Sequence, residues 1–215
     1  LLEKYIASLP TLKRQESAKD LGIYEPAKGV EKVVYKGKEA KANVRLSFYT
    51  DYAYSDAENL NVDALKSTLT IKLIERLRED ESGVYGTGAS ASTTKYPKNR
   101  FGFYIGFGTS LEKYESLIAS ALDEVEKIKK NGPEQGDLDK FVIEQQRQME
   151  LQLKENRFWL SVIAGAYQNQ EDPTTITKHL EALKQVTPES VKAVANKYLN
   201  NDQMFKFILL PEQTK

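Results

Sequence analysis

The sequence predicts an α+β domain, a mainly antiparallel sheet with helices packed on one face. Three observations predict it. Strand-like runs come in clusters near 30–50, 84–107 and 205–210. Helical stripes form their own clusters rather than alternating one for one with strands, and the order reads strand, strand, helix, strand, strand, several helices, strand. That segregation belongs to an antiparallel sheet with helices to one side. No internal repeat or low-complexity segment divides the chain, so one domain is the economical count.

Residues 1–20 start with a short apolar pattern, break at Pro10 and become polar, the composition of a linker from a preceding domain, which leaves 21–215 as the domain itself. Val30–Tyr35 is β-branched, and Val44, Leu46 and Phe48 alternate along 42–50, so these two read as neighbouring, half-buried strands. Ser55 or Asp56 is placed to cap a helix carrying Val62, Leu65, Leu69, Leu73 and Leu77 on one stripe. That helix ends near Asp80, where Gly83 supplies the freedom a chain reversal needs.

Residues 84–94 and 100–107 read as a hairpin turning at Tyr96-Pro97-Lys98-Asn99, and the glycines at 86, 88, 102, 106 and 108 suggest bulges or close backbone approach. Ser110 is expected to cap a helix with the stripe Leu111, Tyr114, Ile118, Ala121, Val125 and Ile128, stopped by Asn131-Gly132-Pro133. A second long helix starts near Asp137 and runs through Leu138, Phe141 and Met149 toward Phe158-Trp159-Leu160, the aromatic pair reading as a core anchor. Asp172-Pro173 breaks the chain before a short helix with Ile176, Leu180 and Leu183. Thr187-Pro188 starts the final helix, and Phe205–Leu210 closes as a strand.

Composition excludes several classes. Thirty-one basic residues balance 31 acidic ones, so no net field favours nucleic acid or anionic lipid. Without cysteine there are no disulfides and no thiolate metal sites. No apolar run approaches the ~20 residues of a membrane helix, and the start Leu-Leu-Glu reads as that of a soluble piece of something longer. The lone His179 has no acidic partner at zinc-motif spacing and reads as a surface or packing residue, and no Gly-x-Ser-x-Gly elbow is present. Glu79 and Glu81 form a carboxylate pair, at a helix end where acids are commonplace. What remains is the joint at 73–96, where Arg78 and Tyr85 stand seven apart across a helix-to-strand junction.

Arg78–Tyr85 (REDESGVY), after a Leu-rich helix and before a small-residue strand, resembles the arginine and tyrosine segment in the C-terminal half of pitrilysin/insulinase-type zinc metallopeptidases. The segments YIASLP, YSDAENL, NGPEQGDLDK, ENRFWL and VTPESVKAVANKYL follow the family's order along almost the whole chain. ENRFWL points to the bacterial, single-chain, four-domain members, of which this resembles the last domain.

The resemblance implies a fold of the pitrilysin/mitochondrial processing peptidase type and a parent zinc metalloendopeptidase. Its zinc motif, H-x-x-E-H, lies in an N-terminal catalytic half that closes with this one over a peptide or unfolded protein substrate. Zinc is then bound outside this segment, which is inactive alone, and a periplasmic or cell-envelope location is expected. Arg78 and Tyr85 become auxiliary catalytic residues, the phenol donating to the carbonyl oxygen that gains charge and the guanidinium holding substrate. Two other readings stand beside this one. The first is a scaffold or peptide-binding domain of a catalytically inactive family member. The second is an independent peptide module using a glycine-bearing strand edge for β-augmentation.

Overall fold

In the computed structural model, which describes residues 1–212, the strands are Glu31–Tyr35 (β1), Ala42–Asp51 (β2), Val84–Thr94 (β3), Arg100–Thr109 (β4) and Met204–Leu210 (β5). They form one sheet in the order β1-β5-β2-β4-β3, antiparallel at every junction except the parallel β1–β5 pair. The expectation that β1 and β2 are neighbours is therefore wrong, because β5 inserts between them. Every residue of β1 is exposed, as at an edge, while β5 pairs with β1 on one side and β2 on the other.

Helices cover one face only. Leu2–Tyr5 (α1) is a single exposed turn, and residues 6–30 run on without helix or strand. The others are Asp56–Leu73 (α2), Tyr114–Asn131 (α3), Gln135–Gln152 (α4), Asn156–Asn169 (α5), His179–Leu183 (α6) and Pro188–Tyr198 (α7). Val44, Leu46 and Phe48 of β2 and Phe101, Phe103 and Ile105 of β4 face Leu65, Leu69 and Leu73 of α2, Leu117 and Ala121 of α3, and Val191 and Val194 of α7 in one core. Fully burying one such leucine or phenylalanine contributes roughly 1.5–3 kcal/mol.

Ser55 caps α2 by accepting from Glu58 N at 3.1 Å, and Thr187 and Ser190 close a capping box on α7. Ser110 does not cap α3. That helix starts at Tyr114 without a side-chain cap, after a turn in which Lys113 N donates to Ser110 O, and Leu111 lies outside it, exposed. The expected single helix from Asp137 to Leu160 is two helices. After Gln152 the chain turns through 153–155, where the Trp159 indole donates to Leu153 O at 2.9 Å and the Phe158 ring meets Trp159 edge-on. The aromatic pair thus fastens a helix–helix turn rather than anchoring the core.

Candidate functional site

α2 does not end as an α-helix. Its last turns widen into a π segment, Ile74–Asp80, that keeps Leu77 buried and leaves Arg78, Glu79 and Asp80 exposed. Widening brings residues five apart into register, and π turns of this kind recur at functional sites. Glu81 N donates to Arg76 O at 3.1 Å, and Arg76 Nε donates to Glu81 Oε1 at 2.7 Å. The Ser120 hydroxyl of α3 donates to the same Oε1 at 2.7 Å, and Lys113 Nζ reaches Glu81 O at 3.1 Å. Burial works to raise the Glu81 carboxyl, but Ser120 and Arg76 outweigh it and hold it below the usual carboxylate range. Glu81 is therefore a structural clamp rather than an acid–base partner of Glu79.

The reversal into β3 differs from expectation. Ser82, with φ 46°, takes the left-handed conformation, while Gly83 has no positive φ. Gly83 is required for space: a Cβ there would lie 2.7 Å from both Leu117 methyl carbons. Gly83 N donates to Leu77 O at 2.9 Å and its carbonyl accepts from Thr109 Oγ1 at 2.6 Å, so the joint is held from both sides.

Beyond it, Val84 pairs with Thr109 but Thr87 pairs with Phe107, which sets Tyr85 and Gly86 together opposite Gly108. This is a β-bulge, a feature that re-aims side chains beside active sites. Tyr85 stands on it 100% exposed, at the rim of a cleft of about 450 Å3 that also takes in Lys41, Asn43, Gly86 and Gly108. Arg78 is exposed across the joint and forms no ion pair among the described residues; the nearby Glu81 carboxylate is held by Arg76. Both predicted site residues thus flank one rigid joint with free functional groups. No hydrogen bond or cation–π contact joins them among the described residues.

The remaining candidates settle differently. His179 is half-buried at the wall of a separate cavity of about 430 Å3 with Asp56 and Asp63, and burial lowers its pKa. Among the described residues, no group of three or more His, Cys, Asp or Glu side chains is arranged to hold a metal, so the residues of this chain do not fit zinc. Strand addition along β3 meets an obstacle, because Ala89 N already donates to Thr70 Oγ1 of α2 at 3.0 Å. Sequence reasoning missed the Arg76–Glu81–Ser120 clamp, since Ser120 lies 39 residues from Glu81. The bulge did leave a signal in the glycines at 86 and 108.

Comparison with known proteins agrees with this architecture. Residues 1–143 match the profile of the peptidase M16 inactive domain. The chain is 24% identical over 152 residues to the "Probable zinc protease PqqL" of Escherichia coli (strain K12), covering 70% of this chain and only 16% of that protein. The crystal structure of the periplasmic protease PqqL from Escherichia coli superposes with a TM-score of 0.76 at 22% identity, over 87% of this chain and 21% of that one. The ferredoxin protease FusC, solved in complex with Arabidopsis ferredoxin, gives 0.80 at 20% identity, over 99% and 23%. A protease from Helicobacter pylori gives 0.78 at 22% identity, over 97% and 50%. No helix among the described residues is long and apolar enough to cross a membrane. With the inactive-domain profile spanning residues 1–143 of 215, the chain belongs to the peptidase M16 family, the pitrilysin/insulinase type.

Proposed function

We propose that this domain completes the active chamber of a zinc metalloendopeptidase, closing over an N-terminal catalytic half of the same protein and presenting Tyr85 and Arg78 to bound peptide. Zinc is held in that other half. The observation that carries this reading is the contrast at the joint. Tyr85 is wholly exposed on a bulge whose flanking residues are clamped by Glu81, Thr109 and Leu117, so a phenol is held out, without a partner of its own, on a rigid base. A preorganised donor of this kind stabilises charge developing on a carbonyl oxygen. Arg78, free of its acidic neighbours, supplies a fixed cation for a substrate carbonyl or carboxylate.

The proposed substrates are peptides or unfolded proteins, and the likeness to PqqL, itself a periplasmic protease, supports a periplasmic parent. Tyr85→Phe in the full-length parent tests the reading. Loss of one such donor costs roughly 100-fold in kcat, with KM little changed. Unchanged turnover removes Tyr85 from the reaction, and a parent without zinc by elemental analysis turns the domain into a scaffold.

A further inference from the structure

The face of the sheet turned away from the helices carries more than Tyr85. By register, Asn43, Arg45, Ser47 and Tyr49 of β2 share it with Tyr104 and Gly106 of β4, Phe205, Phe207 and Leu209 of β5, and Val34 of β1. Tyr49 meets Tyr104 and Phe205 edge-on, with ring centroids 5.7 and 5.4 Å apart. The Arg45 guanidinium lies 4.5 Å from the centre of the Tyr104 ring. Gly102 makes room for that ring, since a Cβ there would stand 2.5 Å from the Tyr104 hydroxyl.

Two clefts on this face meet. The Tyr85 cleft shares Asn43 with a second one of about 320 Å3, formed by Val34, Arg45, Phe207 and Leu209 near the β1 edge. Together they make one shallow track running across the strands from β3 to β1. Arg45 on β2 stands two inter-strand spacings and two register positions from the Tyr85 bulge on β3, about 12 Å, the reach of about four residues of extended peptide.

The charge along the track is one-sided although the chain as a whole is neutral. The five strands contain only two acids, Glu31 and Asp51. Glu31 is paired with Lys206 at 2.7 Å, and Asp51 with Lys98 at 2.8 Å. Glu25, at the far end, is held by Arg100 at 2.6 Å. Arg45 and Lys32 have no carboxylate partner among the described residues. The track therefore offers an apolar floor and an unmatched cation, and what complements it is an extended peptide carrying an acidic side chain next to an apolar one.

We propose that the helix-free face is a substrate track, in which Arg45 with Phe207 and Leu209 selects an acidic–apolar pair about four residues from the bond positioned at Tyr85. This rests on the reading of Tyr85 given above for its anchor point, but its own determinant is Arg45. Two series of quenched fluorescent peptides, identical but for Glu or Lys about four residues to one side or the other of the cleaved bond, test it on the full-length parent. In one of the two series, wild type is expected to favour Glu over Lys through KM by roughly fivefold, the size of a partly exposed charge pair. The preference shrinks as salt is raised.

Arg45→Glu reverses the preference and improves the Lys peptide, a gain that misfolding cannot produce. Phe207→Ser weakens Glu and Lys peptides alike without changing their ratio. Tyr85→Phe lowers kcat across the whole series and leaves the ratio intact. If the ratio is near one with wild type in both series, or is unmoved by Arg45→Glu, the track is wrong even when Tyr85 proves essential. If the ratio reverses while Tyr85→Phe has no effect, the track stands and the role of Tyr85 falls.

Discussion

Arg76 and Glu81 hold each other across the widened last turn of the π segment, side chain to side chain at 2.7 Å and backbone to backbone at 3.1 Å. In a regular α-helix residues five apart do not face each other, so the ion pair exists because the turn is π, and it closes over the segment that carries exposed Arg78. Glu81→Ala removes the acceptor of both Arg76 and Ser120. It is expected to cost about 1–2 kcal/mol of stability, as for a charged group with two donors at the surface. On the proposed role of Tyr85 it is also expected to lower kcat in the full-length parent with less effect on KM, because the joint beneath Tyr85 loosens. Chemical denaturation and steady-state kinetics read the two effects, and a destabilised variant with unchanged kcat would separate the clamp from the site.

Two neighbouring substitutions have opposite signs. Gly83→Ala places a methyl 2.7 Å from two carbons of the fully buried Leu117, which cannot swing away, and is expected to destabilise by about 1–3 kcal/mol. Ser82→Gly relieves a serine held at φ 46° and is expected to stabilise, by up to about 1 kcal/mol. Unfolding midpoints of the two variants check this. The reverse order would mean that the reversal is strained at Gly83 after all.

That pair also shows what was legible in the sequence. The punctuation at 82–83 marked a reversal, but local pattern favours glycine for the left-handed residue, and only the position of Leu117, 34 residues on in α3, reveals that Gly83 serves packing. The stripe Leu65, Leu69, Leu73 and Leu77, the cap at Ser55 and the hairpin after Val84 follow from periods and turn chemistry that act within a few residues, and all are present. Strand order is a long-range property. Inserting β5 between β1 and β2 leaves no local mark on either strand. Arg78 and Tyr85 were visible as a pair of residue types. The bulge under Tyr85 was hinted at by the glycines at 86 and 108, but its place against β4, and the clamp near Arg78 that uses α3, needed the fold.

Asp137, at the start of α4, ties that helix to α2 and gives a pH test. Only 3% exposed, it accepts from Lys140 at 2.8 Å and pairs with Lys72 at 3.0 Å. Burial works to raise its carboxyl, but Lys140 and Lys72 outweigh it and leave the pKa below the ordinary 3.8. A carboxyl depressed on folding stabilises above its unfolded pKa and loses that contribution as pH falls through the folded value. Wild type is therefore expected to exceed Asp137→Asn at pH 7 by about 1–2 kcal/mol, Lys140 being largely exposed and screened. The gap should close progressively below about pH 4. Denaturant titrations from pH 7 to pH 2.5 measure it, and a gap independent of pH would assign the effect to packing alone.

His179 has the opposite chemistry and an equally definite sign. Half-buried against the cavity between α2 and α5, it is pushed below the ordinary 6.5 by burial, which the carboxylates of Asp63 and Asp56 only partly offset. The folded chain thus binds fewer protons at this site than the unfolded chain does. Stability contributed by neutral His179 is complete above the unfolded pKa and is lost as pH falls through the folded one. Wild type is expected to lose stability relative to His179→Gln between pH 7.5 and 5, on denaturant titrations at both pH values. An NMR titration of the single imidazole gives the direction independently. If wild type instead gains on His179→Gln as pH falls, or the imidazole titrates above 6.5, Asp63 and Asp56 dominate over burial and the cavity wall is better described as an ion pair than as a desolvated histidine.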